Sequence, residues 1–119
     1  MTLLELIQAA HSKGIEPQQM ETVALELGVT VEELADLVAR TIAVDYLNGD
    51  IPWAFGDKVM NSLYGWAYGP IDIGLSEFAW DVYIAFDEGE YIHKGEPRDL
   101  PSDYRTLPLI KQALGVVSA

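Results

Sequence analysis

The sequence predicts an all-α protein: a single compact bundle of five to six helices over residues 1–119, with a helix-turn-helix-like corner near the N-terminus. Three observations lead there. Apolar residues recur at three- and four-residue spacing along most of the chain. Two capping boxes, Thr2-Leu3-Leu4-Glu5 and Thr30-Val31-Glu32-Glu33, mark helix starts by residue type alone. No alternating β-branched run is long enough for a strand; Asp81 to Phe86 comes nearest, and its flanks read as helix. Half of the chain is hydrophobic, so 119 residues can bury the core of one domain.

The elements follow in order. Thr2 caps a first helix whose stripe is Leu3, Leu6, Ile7 and Ala10, and Gly14 ends it. Pro17 opens the second, with Met20, Val23, Ala24 and Leu27 inward, up to Gly28. Thr30 opens a long third helix carrying Val31, Leu34, Leu37, Val38, Ile42 and Tyr46 on its apolar face, stopped by Asn48-Gly49-Asp50. Pro52 starts a fourth, with Phe55, Val59, Met60 and Leu63 inward. Three glycines and Pro70 make Tyr64 to Gly74 a loop. Ser76 caps a fifth helix, marked by Leu75, Phe78, Ala79, Val82 and Phe86 and ending near Gly89. Residues 93–106 read as a loop, and Pro108 to Leu114 as a short last helix closed by Gly115.

Seven Lys and Arg stand against 19 Asp and Glu, a formal net charge of −12. Such a field repels nucleic-acid phosphates and anionic membranes and attracts cations or a basic protein. Without cysteine there is no disulfide scaffold and no thiolate metal site. The N-terminus lacks a basic segment and carries Glu5 within its apolar run, unlike a signal peptide. No stretch approaches the roughly 20 apolar residues that span a bilayer. The expectation is a cytoplasmic protein.

The segment from Met20 to Ala39 imitates a DNA-binding helix-turn-helix, with Ala24, turn glycine Gly28, Leu34 and Leu37 at matching offsets. The second helix, however, opens on Glu32, Glu33 and Asp36 where a DNA reader places polar and basic groups. A structural corner is the stronger reading, and no nucleic-acid partner is expected. Glu90-Tyr91-Ile92-His93 has the Glu-x-x-His spacing of carboxylate-bridged metal bundles, which need two such motifs; there is one, directly after Gly89. No Gly-x-Ser-x-Gly elbow, phosphate loop or catalytic cysteine is present, so no catalytic residue, metal or cofactor is assigned.

The fifth helix is the most informative stretch. With Phe78, Val82 and Phe86 inward, Glu77, Asp81 and Glu88 form an outer stripe, flanked by Trp80, Tyr83, Ile84 and Asp87, with Glu90 just beyond. Aromatic rings mixed with acids suit a protein interface: the rings anchor and the acids steer a basic partner. Alternatively, Trp80 and Tyr83 pack against a sixth helix or the loop at 64–74.

Asp45-Tyr46-Leu47-Asn48-Gly49-Asp50-Ile51, then Phe55, Met60 and Leu63, then Leu75-Ser76-Glu77-Phe78 leading into Ala85-Phe86-Asp87-Glu88-Gly89-Glu90-Tyr91, resemble small bacterial immunity proteins of the colicin D immunity type. The resemblance runs from Asp45 to Leu114. It implies an antidote that blocks a basic nuclease toxin by presenting acids where nucleic-acid phosphates would lie. The sequence thus points to an acidic, non-enzymatic, protein-binding inhibitor of immunity or antitoxin-like class, with Glu77, Trp80, Asp81, Tyr83, Asp87, Glu88 and Glu90 as its partner-binding residues. The alternatives are a helix-turn-helix regulatory or accessory protein, an uncharacterised helical interaction module, and an enzyme or metal protein using Glu90 and His93.

Overall fold

A computed structural model describes residues 1–116, and these form six helices and no strands. They are α1 (Leu3–Ser12), α2 (Pro17–Leu27), α3 (Val31–Leu47), α4 (Trp53–Ala67), α5 (Glu77–Glu88) and α6 (Asp103–Ala113). The all-α bundle expected from the periodicity is what the chain adopts.

Local chemistry sets the ends. The Thr2 hydroxyl accepts from the Glu5 N–H at 3.1 Å while Glu5 accepts from the Thr2 N–H. Thr30 and Glu33 repeat the arrangement at 3.0 and 3.1 Å. Each box satisfies donors that a helix start leaves unpaired. At the start of α2 the Gln19 side chain accepts from the Glu16 N–H at 2.9 Å, satisfying one donor there. Between α2 and α3, Gly28 takes φ 71°, left-handed backbone that glycine adopts without steric cost, and its N–H closes back on Ala24 and Leu25.

The core is one contiguous cluster. Helix α3 lies at its centre and buries Leu34, Ala35, Val38, Ala39, Ile42, Ala43 and Tyr46. Helices α2, α4, α5 and α6 pack around it, and α1 covers α4. Each large side chain buried here contributes roughly 1.5–3 kcal/mol relative to exposure.

Two glycines let α5 sit close to its neighbours. A Cβ at Gly56 of α4 would lie 2.5 Å from the Phe86 ring of α5. A Cβ at Gly89, just past α5, would lie 2.4 Å from Thr106 Oγ1 of α6. Thr106 is fully buried; its hydroxyl donates to the Ala85 carbonyl at 2.7 Å and accepts from Trp53 Nε1 at 2.9 Å. This relay ties the starts of α4 and α6 to the end of α5. Tyr46 adds a second tie, its hydroxyl donating to Asp103.

Several sequence expectations are corrected. Helix α4 runs to Ala67, into the segment read as a loop, because buried Leu63, Trp66 and Ala67 hold its last turn despite Gly65. Helix α6 starts at Asp103 rather than Pro108, which lies inside it. Proline removes an N–H there, but Pro108 sits on the exposed side while Thr106 and Ile110 anchor the inner side. Leu37 and Leu27, expected inward, are exposed. Phe78 and Phe55 are half-buried: Arg40 lies 4.6 Å over the Phe78 ring, and His11 stacks on Phe55 at 4.4 Å. Among the described residues no helix is long and apolar enough to cross a membrane.

Candidate partner-binding face on α4 and α5

Helix α5 buries Ala79, Val82, Ala85 and Phe86. This inner stripe leaves two flanks rather than one outer face. Trp80, Tyr83 and Asp87 share the flank beside α4, one or two turns apart. Asp81, Ile84 and Glu88 share the flank toward α6, where Asp81 and Ile84 border a groove with Leu109, Gln112 and Ala113. Glu77 is exposed in the first turn, next to the Ser76 cap. The stripe of Glu77, Asp81 and Glu88 expected from the sequence is therefore divided: Glu88 turns to His93, with its carboxylate 3.0 Å from Nε2.

Helix α4 and its C-cap meet the first flank with a stripe at helical spacing: Asp57, Asn61 and Tyr64 on the helix and Tyr68 just after it. The two stripes run antiparallel and form a seam with two halves. At one end four rings cluster. Tyr64 and Tyr83 stack at 4.5 Å and 14°. Tyr68 lies 4.8 Å from Tyr64, and Trp80 lies 5.5 Å from Tyr83 and 6.0 Å from Tyr68. Such pairs add about 0.5–1.5 kcal/mol each beyond area burial. Yet the cluster stays open to solvent: Tyr64 is 36%, Tyr68 40% and Trp80 38% exposed. Trp80 and Tyr83 thus pack on Tyr64 and Tyr68 at the end of α4, rather than on a loop or on α6, and Trp80 still leaves ring surface uncovered.

At the other end, Asp57, Asp87 and Glu90 gather. Partial burial, then the Asp87 charge, pushes the Asp57 carboxyl up to about 6. Burial, then a hydrogen bond with Asp87 and the Asp57 and Asp87 charges, pushes Glu90 up to about 7. Asn61 opposes both shifts by favouring the charged forms, and a hydrogen bond with Glu90 also lowers Asp57. The Tyr91 hydroxyl donates to Asp87 at 3.0 Å. Among the described residues, no ion pair reaches these three carboxylates; the pairs present are Met1 with Glu26, His93 with Glu88, and Arg105 with Glu96. Tyr83 joins the halves: its phenol is raised by desolvation first and then by the charges of Asp87, Glu90 and Asp57.

Of the residues assigned from the sequence, Trp80, Tyr83, Asp87 and Glu90 come together on this seam, whereas Glu77, Asp81 and Glu88 do not join them. The α4 partners Asp57, Asn61, Tyr64 and Tyr68 escaped sequence reasoning. Their spacing was legible, but reading a loop from Tyr64 cut the stripe in half. Glu90 and His93 do not converge, since His93 is held by Glu88.

The helix-turn-helix-like corner offers little free chemistry. Glu33 closes the capping box, Asp36 accepts from the Ser76 hydroxyl, and Arg40 covers Phe78. Comparison with protein-family models, curated proteins and solved structures returns no match.

Proposed function

We propose that the chain is a protein-binding inhibitor that masks a basic partner through the α4–α5 seam, and that a nuclease toxin is the class of partner it neutralises. One observation carries this reading: four partly exposed aromatic rings adjoin three carboxylates that lack a paired cation. Aromatic rings are enriched as interface anchors, and acids beside them favour a basic partner. The net charge of −12 supplies long-range attraction for a basic surface. Asp57 and Glu90 are both raised by neighbouring carboxylate charge, and an incoming cation would favour their charged forms.

The test is capture by immobilised protein from its source lysate, followed by assay of the captured polypeptide for nuclease activity with and without the chain. Wild type should retain a basic polypeptide at low salt and inhibit it. Asp87→Lys should lose it; Asp81→Lys, on the other flank, should keep most of it. Equal retention by wild type and Asp87→Lys, or no retained polypeptide, overturns the reading.

A further inference from the structure

The seam has a more specific chemistry than a negative surface. Tyr83 stands between the ring cluster and the acids: its ring contacts those of Tyr64 and Trp80, and its phenol feels the charges of Asp87, Glu90 and Asp57. A lysine ammonium can approach both, but as a compact and strongly hydrated point charge. A planar guanidinium uses both, because it stacks on aromatic faces and presents a fork of N–H donors to carboxylates. The molecule already pairs the two groups once: the Arg40 guanidinium lies 4.6 Å above the Phe78 ring, where α3 meets α5. On the seam, by contrast, no cation of this chain pairs with the acids among the described residues.

We propose that the α4–α5 seam is a seat for an arginine of a basic partner, its side chain lying along the exposed ring surface beside Trp80 and Tyr83 with its guanidinium donors turned toward Asp87 and the neighbouring acids Asp57 and Glu90. This rests on the reading of the chain as a binder of a basic protein, and it names the side chain that the face selects. Arginine is favoured over lysine on three grounds. The ring cluster offers faces rather than a closed pocket for an ammonium. The three acids come from two helices and a turn, and so present several acceptors to a forked donor. Guanidinium is also the more weakly hydrated cation and leaves water more readily for a half-buried seam.

The test uses two blocked peptides, acetyl-Gly-Arg-Gly-Arg-amide and its lysine counterpart, titrated into the isotope-labelled protein by nuclear magnetic resonance. The arginine peptide should shift the Trp80 indole and the Tyr64, Tyr83 and Asn61 signals, and bind about threefold tighter than the lysine peptide, because the planar, weakly hydrated guanidinium stacks on a ring where the ammonium stays solvated. Trp80→Ala should abolish that preference while leaving weak binding of both peptides. Asp87→Asn should weaken both by about fivefold, and circular dichroism should show both variants folded. Equal affinity of the two peptides for wild type, or shifts spread evenly over the acidic surface at Glu21, Glu32 and Glu77, overturns the proposal. Failure here with capture still lost in Asp87→Lys removes the arginine seat alone; capture unaffected by Asp87→Lys removes the underlying reading instead.

Discussion

Asp57→Asn should make this protein more stable, and only above acidic pH. Asp57 sits half-exposed on α4, and burial plus the Asp87 charge holds its carboxyl at about 6 against an ordinary 3.8. A carboxyl whose folded value is raised keeps its proton in the native state after the unfolded chain has released it. Its favourable contribution is therefore complete below about pH 4 and lost as pH rises through about 6. Two pH units would correspond to about 3 kcal/mol, but solvent screens a half-exposed group, and about 1 kcal/mol is the realistic scale. Replacing the acid with its neutral isostere removes that cost at pH 8 and changes little at pH 4. Glu90, raised to about 7, feels the Asp57 charge and should relax toward its ordinary range in the variant. The assay is urea unfolding at pH 4, 6 and 8, followed by tryptophan fluorescence. At pH 8 the variant should gain about 1 kcal/mol, or roughly 3–5 °C in Tm, with an unchanged denaturant slope. A variant less stable than wild type at pH 8, or a gain of equal size at pH 4, refutes the reasoning. A carboxylate that lowers the stability of its own fold fits a residue kept for binding rather than for packing.

Thr106→Val should cost about 2 kcal/mol, because it leaves Trp53 Nε1 without its acceptor, whereas Thr106→Ser should cost about 1 kcal/mol through the lost methyl alone; urea midpoints rank the two. Gly89→Ala should destabilise by about 1–3 kcal/mol, since its Cβ meets Thr106, the Ser102 carbonyl and Trp53 within 2.8 Å; a neutral effect would show that the α5–α6 junction can spread. Duplex DNA at low salt should not be retained in a gel shift, since the α2–α3 corner exposes Glu32 and Glu33 at the start of its second helix; micromolar, salt-sensitive retention would contradict this.

The helices were legible because their start signals are local. Thr2, Thr30 and Ser76 each announce an end that depends only on the next few residues. The errors arose where tertiary contacts outweigh local preference. Gly65 suggests a break, yet Trp66 and Ala67 beside it are buried and keep α4 helical. Pro108 suggests a start, yet buried Thr106 before it and Ile110 after it carry the helix through. The candidate site was half legible for the same reason. Trp80, Tyr83 and Asp87 are legible on α5 because periodicity orders residues along one helix, and Glu90 follows just past its end. Periodicity does not say which neighbour lies on which flank, so the sequence groups Asp81 and Glu88, which face α6, with residues on the opposite flank of α5. Nothing local in the sequence brings Asp57 to Asp87; that requires the antiparallel packing of α4 on α5, set in part by the close approach at Gly56.

The central claim is that the exposed rings of the seam serve binding rather than the core, and Trp80→Ala tests it most directly when stability and affinity are measured on the same sample. Trp80 is 38% exposed and touches mainly other surface rings. Its truncation should lower stability by about 1–2 kcal/mol, well short of the about 3–5 kcal/mol of a core tryptophan. Calorimetric titration with the captured basic partner should show at least about 2 kcal/mol of lost affinity, roughly thirtyfold in Kd. A loss of about 3–5 kcal/mol in stability with an unchanged Kd would place Trp80 in the core and contradict the account.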